Sequence, residues 1–272
     1  MAQRQNGGAP VIWVNTGYSS LLSSETSIQD IGKIGVAIGG GYEWRISNFI
    51  LQTGVEFHLH NSAMKLDDFT HIEKDLIDSE LDPYDGKFKF TENKDHYRLG
   101  NLNIPLQLGF SFAKKYFFLA GGKLGINLFG TSRIESGVTS SGAYPQFFDD
   151  FENMPNHLFD SQKKENTQEI KTALNYMVSA ELGTNLKSSS EKNSKLSYRI
   201  SLFADYGLAN IYAGEGKALI YNQGSNYYQP FLRSFLDSDI LRNGHVSSLY
   251  TGIKLTILIQ GRDKYDCRCN WN

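Results

Sequence analysis

Residues 33–46 read KIGVAIGGGYEWRI. Ile34, Val36, Ile38, Tyr42, Trp44 and Ile46 fall on one face, and Gly35, Ala37, Gly39, Gly41, Glu43 and Arg45 on the other. A period of two is the strand signature, and it persists here well beyond the roughly 5–6 residues usual in soluble folds. Ser47-Asn48 then reads as a tight hairpin turn. After it Phe49, Leu51, Val55, Phe57 and Leu59 oppose Gln52, Gly54, Glu56, His58 and His60. The same alternation recurs over residues 101–112, 116–128, 174–186, 196–208 and 248–260, and residues 11–19 open the series. The pattern predicts eight strands, an even number, as a closed up-and-down membrane barrel requires.

The connections carry a second pattern. The links after the second, fourth and sixth strands are short and polar (47–48, 113–115, 187–195), whereas those after the third, fifth and seventh are long (65–95, 136–171, 214–243). Outer-membrane barrels show this asymmetry, with short periplasmic turns and long external loops. The expected fold is therefore all-β: an eight-stranded antiparallel up-and-down transmembrane β-barrel with long extracellular loops and both termini periplasmic. A lipocalin-like barrel or a sandwich would place the apolar face inside. Here the polar face is rich in Gly, Ser and Asn, which suits a cramped lumen. Aromatics gather near strand ends (Tyr42, Trp44, Phe49, Phe110, Phe112, Tyr116, Phe118), as in interfacial girdles. The expected division is a periplasmic extension at 1–10, the barrel at 11–262 and a periplasmic tail at 263–272.

Composition narrows the classes. The 272 residues hold 27 basic and 29 acidic side chains, a net charge of −2, which argues against a nucleic-acid protein. Aromatics at 13% exclude global disorder. Apolar runs such as 116–120 are far shorter than the roughly 20 residues of a membrane helix. The opening MAQRQNGGAP has no apolar stretch, so the expectation for an outer-membrane location is that a leader has been removed.

The run GVAIGGGYEWRISNFILQTGVEF, together with YRLGNLNIPLQLGFSF and YFFLAGGKLGIN, resembles the outer-membrane β-barrel family common in Bacteroidota, which includes PorT-like proteins. The resemblance covers most strand regions and leaves the loops unmatched. It implies the barrel fold and, for some members, an accessory part in type IX secretion.

Eight charged residues share the polar face: Glu43, Arg45, Glu56, Lys123, Glu181, Arg199, Asp205 and Lys254. Unpaired charges in a narrow lumen are costly, so the four acids and four bases are expected to pair. That reading is a salt-bridge plug; the sharper one is an ion gate. Glu56, His58 and His60, at i, i+2 and i+4, offer donors for a metal or an acid–base pair, but no nucleophile motif accompanies them, and a lumen histidine is the blander reading. Residues 65–95 carry Asp67, Asp68, Glu73, Asp75, Asp78, Glu80, Asp82 and Asp85 without the spacing of a calcium loop, which reads as a solvated acidic loop. Phe147, Phe148, Phe151 and Phe159, and then Phe231 and Phe235, form apolar clusters in the long loops; they either meet a partner or fold down over the mouth. Cys267 and Cys269 offer a disulfide, with each other or with a periplasmic partner. The expected function is a non-enzymatic scaffold or accessory subunit contacting lipid and protein partners, with no cofactor, no metal and no nucleic acid. The alternatives are an outer-membrane hydrolase using the Glu56/His58/His60 rim, a narrow channel, or a surface adhesin.

Overall fold

The computed structural model describes residues 7–78, 80–113, 115–145, 151, 161–186, 196–224 and 227–259. Phe147, Phe148, Phe159, Cys267, Cys269 and the tail at 263–272 lie outside them. In chain order the strands are β1 (Gly7–Ser23), β2 (Ile28–Ile46), β3 (Phe49–Leu66), β4 (Phe69–Ile77), β5 (Pro83–Phe112), β6 (Tyr116–Ala143), β7 (Gln162–Glu169), β8 (Asn175–Leu186), β9 (Leu196–Gly207), β10 (Ile220–Asn222), β11 (Pro230–Leu232) and β12 (Val246–Ile259). Eight of them close a ring in the order β1-β2-β3-β5-β6-β8-β9-β12, and β12 returns antiparallel to β1. Closure leaves this ring no unpaired edge.

The alternation sets the orientation. Ile34, Ile46, Phe49, Leu108 and Leu202 are outward and exposed, while Asn15, Glu56, Asn103 and Arg199 face inward and are buried. This is the reverse of a water-soluble barrel, and it wraps the ring in an apolar belt. The aromatics Tyr42, Trp44, Phe49, Phe110, Phe112 and Tyr116 crowd the belt's edge beside the short turns, hereafter the turn end. The largest inward ring, Trp13, stands opposite Gly39. A Cβ at Gly39 would come within 2.4 Å of the indole, so glycine there is what lets a tryptophan enter the lumen.

Beyond the belt, at the loop end, the structure departs from the expected loops. Residues 65–95 are not an acidic loop: β4 and the first half of β5 occupy them as a hairpin, and β6 runs on to Ala143. Here β4, β5, β6 and β7 make a four-stranded rim sheet. Phe88, Phe90, Ile134 and Val138 face inward from it onto Leu232. The segment from Pro230 forms β11, paired with β10, and then two short 3-10 turns, Phe235–Asp237 and Asp239–Leu241.

Candidate functional site

The lumen is filled in layers, which the inward positions of neighbouring strands build in turn. Nearest the turn end, Ile50, Phe117 and Leu119 make an apolar floor. Above it Arg199, from β9, grips Glu43, from β2, with two parallel bonds: Nη1–Oε2 at 2.6 Å and Nη2–Oε1 at 2.7 Å. That fork-to-fork match gives geometric specificity that a lysine cannot supply. Arg45 adds Nε–Oε1 at 2.7 Å, Asn185 accepts from Arg199 Nε at 3.0 Å, and the guanidinium lies 4.9 Å above the Phe117 ring.

Two further ion clusters follow. Lys254 meets Glu181 at 2.7 Å and lies 5.0 Å above the Trp13 ring, and Ser201 donates to the same carboxylate. Lys123 bridges Glu56 at 2.9 Å and Asp205 at 2.8 Å. Glu56 also accepts from Trp13 Nε1 at 2.8 Å, Asn15 at 2.9 Å and Asn103 at 3.4 Å. The structure thus gathers all eight charged residues into three clusters, seven of them buried and Arg45 a third exposed at the turn end. Sequence reasoning did not assign Trp13, Asn15, Asn103 and Asn185 to the network. The parity of β1 carried the signal for the first two, since Val11, Trp13 and Asn15 alternate with the exposed Ile12 and Val14.

Glu56, His58 and His60 do not converge. The Glu56 carboxylate is taken by four donors from three other strands. His58 instead stacks on Tyr250, with centroids 4.1 Å apart, and meets His60 edge-on at 5.5 Å. The Nε2 atom of each imidazole has no hydrogen-bond partner. The pair is therefore not held in place by hydrogen bonds at Nε2, as a rim histidine would be, and no serine engages that nitrogen. Among the described residues no group of His, Cys, Asp and Glu is arranged to hold a metal ion.

The layer above His60 closes the mouth. Phe235, Leu236, Leu241 and Ile211 pack onto Leu21, Met64, Tyr97, Leu99 and Ile170. Phe235 is fully buried, so its expected role in meeting a partner is corrected: an apolar ring over a ring of strands gains more from capping the lumen than from solvent. Asp95 pins this cap. Its carboxylate accepts from Ser132 Oγ, from Ser234 Oγ at 2.9 Å and from the Phe235 amide at 2.9 Å. Burial pushes the Asp95 carboxyl above its ordinary range, and those hydrogen bonds pull against the shift. Phe231 is half-buried, tilted onto Tyr221, with Lys164 Nζ 4.6 Å above its ring. Lys87 approaches Phe151 at 5.4 Å.

Residues 12–213 match the family model described as outer membrane protein beta-barrel domain. No curated protein matches the chain. Among solved structures, it is similar to the attachment invasion locus protein Ail of Yersinia pestis, in complex with the heparin analogue sucrose octasulfate. That likeness has 12% identity, 92% of this chain and 98% of that one covered, and a TM-score of 0.29. It is also similar to Neisserial surface protein A, at 10% identity, 93% and 99% coverage, and a TM-score of 0.31.

Proposed function

The chain belongs to the outer membrane protein β-barrel domain family, and on that premise we propose that it is a non-enzymatic scaffold, an accessory subunit that presents its rim to protein partners. The observation that carries this reading is a contrast along one axis. The described lumen is packed with ion clusters and capped by Phe235 and Leu236, which suits neither conduction nor a substrate, while the rim sheet stands clear of the belt. On its edge strand β4, Ile72 and Ile77 are exposed at 47% and 52%, and Leu81 at the hairpin tip at 80%. Leu81 also holds φ at +69°, a conformation a bulky residue rarely adopts. Water-exposed aliphatics beyond a membrane belt suit a protein contact.

In this reading the short turns and both termini face the periplasm of a Gram-negative cell, and the rim faces outward. The PorT-like strand sequences favour a secretion or assembly complex over a free-standing barrel. A photo-crosslinking side chain placed at Ile72 or Leu81 in native membranes should give discrete protein adducts. The same group at the belt position Val36 should give none. Absence of adducts at both rim positions, with the barrel folded, removes the scaffold reading.

A further inference from the structure

The rim sheet, unlike the ring beneath it, has two terminal strands. Each is paired on one side only: β4 with β5, and β7 with β6. A strand edge left in water offers a row of backbone donors and acceptors to any extended chain, and folds guard such edges with charge. β7 is guarded. Its eight residues, QKKENTQE, are all polar or charged. Its Gln168 also accepts from the Ser234 amide at 3.1 Å, and its Asn166 donates to the Tyr221 hydroxyl at 2.6 Å. β4 is different. Residues 69–73, FTHIE, pair regularly with 90–86 before the register shift between Glu73 and Leu76. Among the described residues no strand lies on their far side. Phe69 stacks inward on Phe90, which leaves Thr70 and Ile72 exposed on the outward face.

We propose that β4 takes up an extended segment of a protein partner as an added strand, with β-branched residues at its centre and basic residues at both ends. The inference rests on the scaffold reading of the rim and names what that contact recognises. Backbone pairing along the edge supplies affinity, and alternate side chains supply choice. The flanks of the open stretch set that choice. Residues 67–85 hold eight acidic side chains against a single lysine, Lys74. Asp67 and Asp68 stand exposed at one end of the stretch and Asp75 at the other. In the middle, Lys89 lies opposite Thr70 and Lys87 opposite Ile72 on the neighbouring strand. Those lysines disfavour a basic residue at the centre of the incoming strand's outward face, where valine or threonine packs beside Ile72. A second copy of this chain is a poor occupant, because β4 against β4 in either direction sets acid against acid.

The test uses the full chain in phosphatidylcholine nanodiscs, the peptide Lys-Lys-Val-Thr-Val-Thr-Val-Lys-Lys, and amide hydrogen exchange as the readout. The peptide should slow exchange at 69–73 roughly tenfold and leave the β7 amides unchanged, and raised salt should weaken it. The double variant Asp67→Asn/Asp75→Asn should weaken its binding roughly tenfold. That variant should keep the heat-modifiable gel mobility of a folded barrel, since Asp75 holds φ at +55° and asparagine tolerates that conformation. Equal protection by a peptide with proline for its central valine shows that charge alone holds it, and overturns strand addition. Equal protection by a peptide with glutamate for lysine overturns the stated chemistry. Protection of β4 that appears without peptide and grows with protein concentration makes a second copy the occupant, and overturns the proposal too. Photo-crosslinked adducts at Ile72 in native membranes, from a chain whose β4 ignores the peptide, overturn this proposal alone and leave the scaffold reading standing.

Discussion

β5 and β6 each pass through two halves of the molecule with opposite rules. In the belt, Ile104, Leu106 and Leu108 face out while Asn103 and Gln107 face in. In the rim, Phe88 and Phe90 face in while Lys87 and Lys89 face out. Residue preference for strand is the same in both halves; what differs is the medium outside. Lipid rewards an apolar exterior and leaves the narrow interior to paired ions, whereas water restores the ordinary oil-drop order. The change of rule coincides with a register shift between β5 and β6 at Gly100/Asn101, where Leu128 and Phe129 are both exposed on β6. A bulge there re-aims the strands as they leave the belt.

The lower half should break most severely at its ions. Lys123→Met leaves Glu56 and Asp205 facing one another without a cation, and should cost about 3–5 kcal/mol, read as loss of the folded band on unheated gels. A loss below about 1 kcal/mol would mean that water, not Lys123, solvates the pair. Next comes a matched exchange across the divide. Leu106→Arg, on the belt, should cost about 2–4 kcal/mol, whereas Lys89→Leu, on the rim, should stay within about 0.5 kcal/mol. Equal costs in urea titrations from membranes would erase the distinction between the halves.

How much of this was legible in the sequence follows the same divide. The belt strands announced themselves because most outward positions are apolar and most inward ones small or polar, Trp13 and the floor of Ile50, Phe117 and Leu119 being the inward exceptions. The rim half of β5 alternates as well, with Tyr84, Phe88 and Phe90 and then, past a bulge at Glu92 (φ +53°), Asn93, Asp95, Tyr97 and Leu99 all facing inward. The bulge breaks the period, and the many carboxylates of residues 65–95 outweighed it, so the hairpin read as a loop. In β7, QKKENTQE, there was nothing to see: it has no apolar residue and is a strand only because β6 offers it an edge. Likewise the charged lumen residues were legible one by one from strand parity, but which acid meets which base depends on the ring's closure and stagger. The Phe235 cluster was visible as apolar. That it caps rather than greets a partner depends on Asp95, 140 residues away along the chain.

That latch gives the finest test of the rim as a water-soluble core. Asp95→Ala leaves Ser132, Ser234 and the Phe235 amide without their acceptor and should loosen the cap by about 1–3 kcal/mol, seen as faster hydrogen exchange at Phe235 with the belt strands unchanged. The pH dependence is smaller and has a definite sign. Because burial raises the Asp95 carboxyl in the folded state, the cap binds that proton more tightly than the open chain does. The associated stability is complete below the unfolded value near 3.9 and is lost as pH rises through the folded one. His96 pulls the other way, since burial and Lys33 lower its imidazole, so the comparison must be made against Asp95→Asn, which keeps His96 but cannot titrate at 95. After correction for intrinsic exchange, protection at Phe235 should fall from pH 4 to pH 8 in the native chain by more than in Asp95→Asn. Parallel profiles would show that the cap is held by its apolar packing alone.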